Sequence, residues 1–586
     1  MAEAGASEGP GAQYVCNTNN LTDGLLFSVA HEPVTHSPDP LAGKQSARTQ
    51  LVGIFLERVD PIFKILHRPS VTLHLIQSKS YLDYEPEHPA VVALDTAIFY
   101  CAICTMNEEE CASALGSGKK ALLPKFRSSA EIALIRVGLV STKDITVLQA
   151  FLLFLVATRS YDRTREVWTL MSLAFRIAQA LGLHLDPPST AANSFDLEMR
   201  RRLRYAIGLL DMQTSFDRLT VPIVPLSWMQ TPYPTNTNDA NFSIGFDGQL
   251  LDETGLNFTD MTFPVLIYRA QTVVRQIDMT TQEGASVMDI ITLRRGYVEE
   301  FRKVAMILLR HCDTDNNPFH WYVVQVAEWI IAQFHVAVER PLRKHPNYNP
   351  PKLGFNLLQV CAEILQRSQN LVRDTRGRPW RWFESIFNPW HALSVAIAEL
   401  CACEDIATVE SYWDLIEKAY AHSADLMEKS QSELPWKPME KLIKRARAHR
   451  SSLLQRGSNS QFDSATSPSR LSSFSSLSGP FTNQSQILAG PDAEEESSSQ
   501  PGVFPALSFL RNLTAEETMP STTSTALLPM PSFHPSIGTE YRVESTTANE
   551  GDAVGGDVDV SVEWATWESF LNDLYVPDNG WAFNGM

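Results

Sequence analysis

The sequence predicts an all-α fold, and three observations carry the prediction. Apolar residues recur at three- and four-residue steps through a long central stretch, as helix faces require. The apolar stretches stop at Gly and Pro in the manner of helices, and no succession of alternating strands interrupts them. The apolar fraction, 44% of 586 residues, is ample for a large core.

Taken in order, residues 1–45 are rich in Gly, Ala, Ser, Pro and Asn and form an expected flexible leader. Residues 46–456 are the expected folded body. Within it Val91 to Ile103 and Ile145 to Ala157 read as buried helices; the second contains Thr146 and Gln149 and is too short to span a bilayer. Val167, Leu170, Met171, Ala174, Ile177, Ala178 and Leu181 lie on one helical stripe, which Gly182 and Pro187 bring to a stop. A further helix is expected from Leu197 to Met212, with Met199, Leu203, Ala206, Ile207 and Leu210 on its buried face and Arg200, Arg201 and Arg204 largely off it.

Near the end of the body, Lys441, Lys444, Arg445, Arg447 and Arg450 alternate with Met439, Leu442, Ile443, Ala446 and Leu453. That pattern gives a helix with one buried and one cationic face, open to two readings: a solvated face near a helix C-terminus, or a nuclear-import or anion-binding patch. Residues 457–550 are rich in Ser, Thr and Pro and cannot bury enough apolar surface to offset chain entropy, so they are an expected disordered linker. Residues 551–586 carry no Lys or Arg, and there Trp564, Trp567, Phe570, Leu571 and Leu574 fall at helical spacing among seven acidic residues. Two readings are open, an activation segment whose aromatics stay solvated until a coactivator groove buries them, which is favoured, and a C-terminal helix that docks back on the body.

The net charge of −18 argues against the chain as a whole binding a polyanion. Eight cysteines in 586 residues are not a disulfide framework. Cys101, Cys104 and Cys111 match the spacing of half a binuclear zinc cluster, but the next cysteine is Cys312 and Glu108, Glu109 and Glu110 stand where phosphate-binding cations would be needed. They read as buried or partly buried thiols, not metal ligands. Asp313, Asp315 and Asn317 open like a calcium loop that Pro318 and Val324 spoil, leaving a polar turn. Gly116 to Lys120 lacks the rest of a phosphate loop and reads as a turn. No catalytic constellation emerges, no cofactor is expected in this chain, and the protein is read as not an enzyme.

Phe55 to Ser70, ending in Leu66-His67-Arg68-Pro69, resembles the opening of the fungal-specific transcription factor domain, the middle homology region of fungal zinc-cluster-type transcription factors. The resemblance continues through Arg176 to Pro187, Glu198-Met-Arg-Arg-Arg-Leu203 with Leu209-Leu-Asp211, and Tyr233 to Ala240, and in weaker form to about residue 455. Two positions depart from the family pattern: Arg204-Tyr205 stands where Trp-Trp is common, and Thr220-Val221-Pro222 where Gly-Arg-Pro is frequent.

The resemblance implies a nuclear regulator, controlling a metabolic or secondary-metabolite gene set, with coactivators and homo- or heterodimeric zinc-cluster factors as partners and no membrane. Members usually carry a six-cysteine cluster before this region, whereas only Cys16 precedes residue 50 here. DNA contact is therefore expected to be lost, truncated or supplied by a partner, with zinc entering only through an upstream cluster. Other readings are an interaction protein that heterodimerises with zinc-cluster factors, and a soluble helical enzyme.

Overall fold

A computed structural model of the chain describes residues 40–41, 43–161, 165–187, 193–218, 220–279, 287–342, 356–384, 389–429 and 437–463. Among them are sixteen α-helices and no β-strand. The acidic segment with Trp564, Trp567, Phe570, Leu571 and Leu574, most of the leader and most of the linker lie outside the described residues.

The chain runs α1 (Gln45–Arg58), α2 (Arg68–Leu75), α3 (Pro89–Thr105), α4 (Glu108–Leu115), α5 (Lys119–Arg136), α6 (Ile145–Arg159), α7 (Arg165–Ala180) and α8 (Ser194–Asp217). After an extended stretch come α9 (Thr262–Met279), α10 (Val287–Leu308), α11 (Pro318–Leu342) and α12 (Leu357–Arg373). Last are α13 (Arg381–Glu384), α14 (Trp390–Ala402), α15 (Ile406–Lys429) and α16 (Lys437–Asp463).

Helix α3 is the centre of the first half, packed against α1, α5 and α6. Its sequence is apolar on every side, as a helix enclosed by neighbours must be. Pro89 sits in the first turn, where a missing N–H costs nothing, and the His88 side chain accepts the Ala90 N–H. Helix α6 is enclosed in the same way, with Asp144 as its N-cap accepting the Thr146 N–H at 2.8 Å. From α6 the packing passes through α7, α8, α9, α10 and α11 to α12, which meets α14 and α15; α16 lies against α14 and α15.

Two tryptophans join the halves. The indole N–H groups of Trp380 and Trp382 donate to the carbonyls of Glu57 and Arg58 at 3.1 and 3.0 Å, satisfying acceptors that the end of α1 leaves open.

The stripe expected on α7 is the buried face observed: Val167, Leu170, Met171, Ala174, Ile177 and Ala178 are all enclosed. Gly182 ends it with φ of +68°, and the Leu183 N–H reaches back to the Ala178 carbonyl at 2.9 Å, a left-handed helix stop. Nothing stands within 4 Å of a Cβ built at Gly182, so a side chain there meets only the backbone penalty. Gly182→Ala is therefore expected to lower stability by about 1–2 kcal/mol, read from the urea midpoint at unchanged m-value.

Candidate functional site

Three of the four stretches that carry the family resemblance meet in one place. From the loop after α1 come Asp60 and Lys64, with Arg68 opening α2; from α8 come Glu198 and Arg202; from the extended stretch after α8 comes Asp239. Lys64, Arg202, Glu198, Asp60 and Asp239 are each at most 1% exposed. Lys64 Nζ lies 2.7 Å from Asp60 Oδ2 and 2.8 Å from Asp239 Oδ2. Arg202 donates to Glu198 Oε1 at 2.9 Å and to Asp239 Oδ1 at 2.7 Å. Arg68 adds its backbone N–H to Asp239 Oδ2 at 2.8 Å and its guanidinium to Asp60 Oδ2.

Three cations thus face three carboxylates; Lys64 and Arg202 are fully enclosed and need their partners to offset lost hydration, while Arg68 closes the knot at its partly exposed edge. Burial pushes the Asp239 carboxyl up, but Arg202 and Lys64 outweigh it and hold it far below the usual carboxylate range. The remaining bonds fasten the extended stretch: Glu198 Oε2 accepts the Thr235 N–H at 3.0 Å, and Asn236 Oδ1 accepts the hydroxyls of Thr259 and Thr262 at 2.7 and 3.1 Å. The knot makes three segments into one body, the first of them more than a hundred residues before the other two.

His67 belongs to the same knot. Its Nε2 lies 3.0 and 3.1 Å from the carbonyls of Asp239 and Phe242, both acceptors, so Nε2 carries the hydrogen; Nδ1 accepts from the Ser70 hydroxyl at 2.8 Å. Both nitrogens are engaged with protein groups. Burial, partly opposed by Asp239, lowers its pKa and favours the neutral ring.

The outer side of His67 borders a cleft of about 560 Å³. It is lined by Tyr81 and Tyr84 of the loop between α2 and α3, by Phe195 and Met199 of α8, and by the start of α6 with its Gln149. Phe195 meets His67 edge to face at 5.2 Å between ring centres. The Tyr84 hydroxyl donates to Asp144 Oδ1 at 2.7 Å.

The arginines of α8 correct the expectation from helix periodicity. The helix is longer than expected, Ser194 to Asp217, and Arg204 is fully buried, not off the buried face. Its Nε donates to the Leu183 carbonyl at 2.6 Å and its Nη2 to Asp186 Oδ1 at 2.6 Å. Arg201 also holds Asp186, and Arg200 donates to the Leu181 carbonyl at 3.1 Å. The three side chains clamp the turn that ends α7. Beside them, Tyr205 donates to the Thr231 carbonyl at 2.7 Å and stacks on Tyr233. The departure from Trp-Trp thus replaces apolar volume with a polar clamp.

At Thr220-Val221-Pro222 the turn is held from α8 as well. The Asp211 carboxylate accepts the N–H groups of Ile223 and Val224 at 3.1 and 2.9 Å.

The other sequence features resolve as follows. Cys101, Cys104 and Cys111 are all buried. Cys101 donates to the Leu153 carbonyl at 3.3 Å, and burial pushes the Cys104 thiol up to about 12. Glu108, Glu109 and Glu110 occupy the first turn of α4, where the helix dipole favours acids, and Glu110 completes a capping box with Asn107. Gly116 is a left-handed helix stop, and Lys119 donates to the carbonyls of Cys104 and Met106 at the end of α3. Asn317 accepts the Phe319 N–H at the start of α11, so the calcium-like string is an interhelical turn.

The cationic segment lies on α16, whose opposite face buries Met439, Leu442, Ile443, Ala446 and Leu453. Arg447 is paired with Glu417 of α15, and Arg450 donates to Glu410 at 2.8 Å while lying 4.7 Å over the Trp413 ring. Lys441, Lys444 and Arg445 are exposed. The expected patch is thereby divided into two arginines that fasten α16 to α15 and three cations that face outward. No described helix is long and apolar enough to cross a membrane.

The described residues thus form a multi-helix body whose signature residues build an internal charge knot. The fungal specific transcription factor domain matches residues 52–277, from α1 through nearly all of α9, and so includes the whole knot. The C6 finger domain transcription factor adaR of Aspergillus niger is 36% identical over 406 residues, covering 66% of this chain and 52% of that protein. The C6 finger domain transcription factor nscR of Aspergillus fumigatus is 30% identical over 565 residues, 92% of this chain and 68% of that protein. Its namesake in Trichophyton rubrum is 30% identical over 550 residues, 91% and 74%. The chain belongs to the fungal-specific transcription factor family, and it spans about half the length of the first of these relatives.

Proposed function

We propose that this chain is a nuclear transcriptional regulator of a metabolic or secondary-metabolite gene set, acting through its helical body and its acidic aromatic segment. The observation that carries the reading is the convergence of the family's signature stretches on Asp239: the residues that mark the family hold its regulatory body together. DNA contact comes from a zinc-cluster partner or from a segment bearing such a cluster, since the net charge of −18 and the buried Cys101, Cys104 and Cys111 offer no reader of phosphates. Coactivators are the partners of Trp564, Trp567, Phe570, Leu571 and Leu574. Chromatin immunoprecipitation of the tagged chain, paired with transcript profiling of a deletion strain, tests this: occupied promoters whose genes change expression support it. Occupancy with no change in any transcript, or changes at unoccupied genes alone, refutes it. Loss of occupancy on deleting a zinc-cluster factor identifies the route to DNA.

The outward cations of α16 are the proposed import signal. Lys444 and Arg445 offer their charges without first breaking the pairs that Arg447 and Arg450 make. Replacing Lys444, Arg445 and Arg447 with Gln is expected to move a fluorescent fusion substantially into the cytoplasm. Undiminished nuclear accumulation would count against an import role.

A further inference from the structure

We infer that the cleft beside His67 is a binding site for an uncharged, flat ring compound bearing a hydroxyl or amide N–H. At about 560 Å³ it has the volume of a small-molecule site. The class of ligand follows from what lines it.

Its lining includes four rings: Tyr81 and Tyr84, near-parallel at 16° with centres 6.3 Å apart, and His67 and Phe195. Such walls favour a flat partner. The lining also includes Gln149, 3% exposed, whose Nε2 donates to the Ile65 carbonyl at 2.7 Å. That bond fixes which end of the amide is nitrogen, because a carbonyl only accepts. The Gln149 Oε1 has no protein partner among the described residues, although nearly all of the side chain is enclosed. Gln149 lines the cleft, where a ligand's donor can reach that oxygen.

Charge decides against an anion. Two helix N-termini, of α6 and α8, open on the cleft and would otherwise attract one. Both are already answered: Asp144 caps α6, and Asn193 caps α8 with Asp196 in its first turn. The two carboxylates at the cleft, Asp144 and Asp196, outnumber its one full cation, Lys143.

The wall loop is also the strained part of the molecule. Ser78, Leu82 and Glu87 have φ of +56°, +47° and +60°, and they are the non-glycine residues with positive φ among those described. All three lie between α2 and α3, and Leu82 packs on Phe195, Met199 and Phe242. Left-handed backbone at ordinary residues persists only where surroundings enforce it, and ligand-binding loops are a common place for it.

The test uses the purified full chain and β-naphthol, with naphthalene and naphthoate as controls, by calorimetric titration. The expected result is one saturable β-naphthol site, with naphthalene weaker and naphthoate weakest. Gln149→Leu is expected to weaken β-naphthol about tenfold and leave naphthalene unchanged, the loss of one hydrogen bond. Because Gln149 also supports Ile65, a second variant protects the test. Leu82→Trp, at a partly exposed position of the lining, adds bulk at the cleft and is expected to abolish binding of all three in a chain whose circular dichroism shows it folded. No saturable β-naphthol binding, naphthoate the tightest of the three, or β-naphthol affinity unaltered in a folded Leu82→Trp protein would each overturn the assignment.

Discussion

Asp239→Ala is expected to lower folding stability by about 3–5 kcal/mol, the range for removing one partner of a buried ion pair. The carboxylate faces Lys64 and Arg202, each fully enclosed, and accepts the Arg68 backbone N–H; without it two buried cations keep only Asp60 and Glu198. Domain stabilities are commonly about 5–15 kcal/mol, so the variant is expected to express poorly and to lose nuclear signal through degradation. Asp239→Asn separates charge from shape. The Asp239 carboxyl is held far below its ordinary value by Arg202 and Lys64 against the opposing effect of burial. A depressed carboxyl gives stability that is present above the unfolded pKa, about 3.9, and is lost as pH falls. The advantage of the natural chain over Asp239→Asn is therefore expected to shrink by about 1.4 kcal/mol per pH unit below about pH 4. Urea titrations of both proteins across that range measure it, and a constant gap would show that charge is not what Asp239 contributes.

How much of this was legible beforehand depends on the distance over which each feature is decided. The stripe on α7 and its stop at Gly182 are local, set by side chains within one turn of each other, and the sequence states them directly. The same holds for α6, whose mostly apolar run leaves no polar face. The positions of the family motifs were legible too, but not what they do. Nothing near Lys64 or Arg202 in the sequence marks them as buried, because their partners come from other segments. Their partner Asp239 lies 37 residues beyond Arg202, on a stretch with no periodicity to announce it. Helix periodicity misplaced Arg204 for the same reason, since its acceptors belong to the end of another helix. The cleft was least legible, because its walls come from three elements and Gln149 looks like an ordinary interruption of an apolar helix. The division of the α16 cations was hidden as well: Glu410 and Glu417 lie on α15, 40 and 30 residues before the arginines they hold.

Arg204→Ala carries the second large effect, expected at about 3 kcal/mol. The guanidinium is wholly enclosed and reaches two acceptors at once, the Leu183 carbonyl and Asp186, each at 2.6 Å. Hydrogen bonds from charged donors contribute about 1.5–3 kcal/mol, and the removed side chain leaves a void that adds to the loss. Asp186 retains Arg201, so the deficit falls short of that at Asp239, where the partners have no exposure to water. Arg204→Lys is the sharper test. A lysine ammonium is a point donor on a flexible stem and does not reproduce a planar fork that spans a carbonyl and a carboxylate. It is expected to recover less than half of the loss, by the urea midpoint at constant slope. Burial pushes the Asp186 carboxyl up, but Arg201 and Arg204 hold it below its ordinary value, so truncating Arg204 raises it. The deficit of Arg204→Ala should then be largest near neutral pH and diminish as acid protonates Asp186 in the unfolded chain. Full stability in Arg204→Lys at neutral pH would mean that filled volume, not the fork, is what the turn after α7 requires.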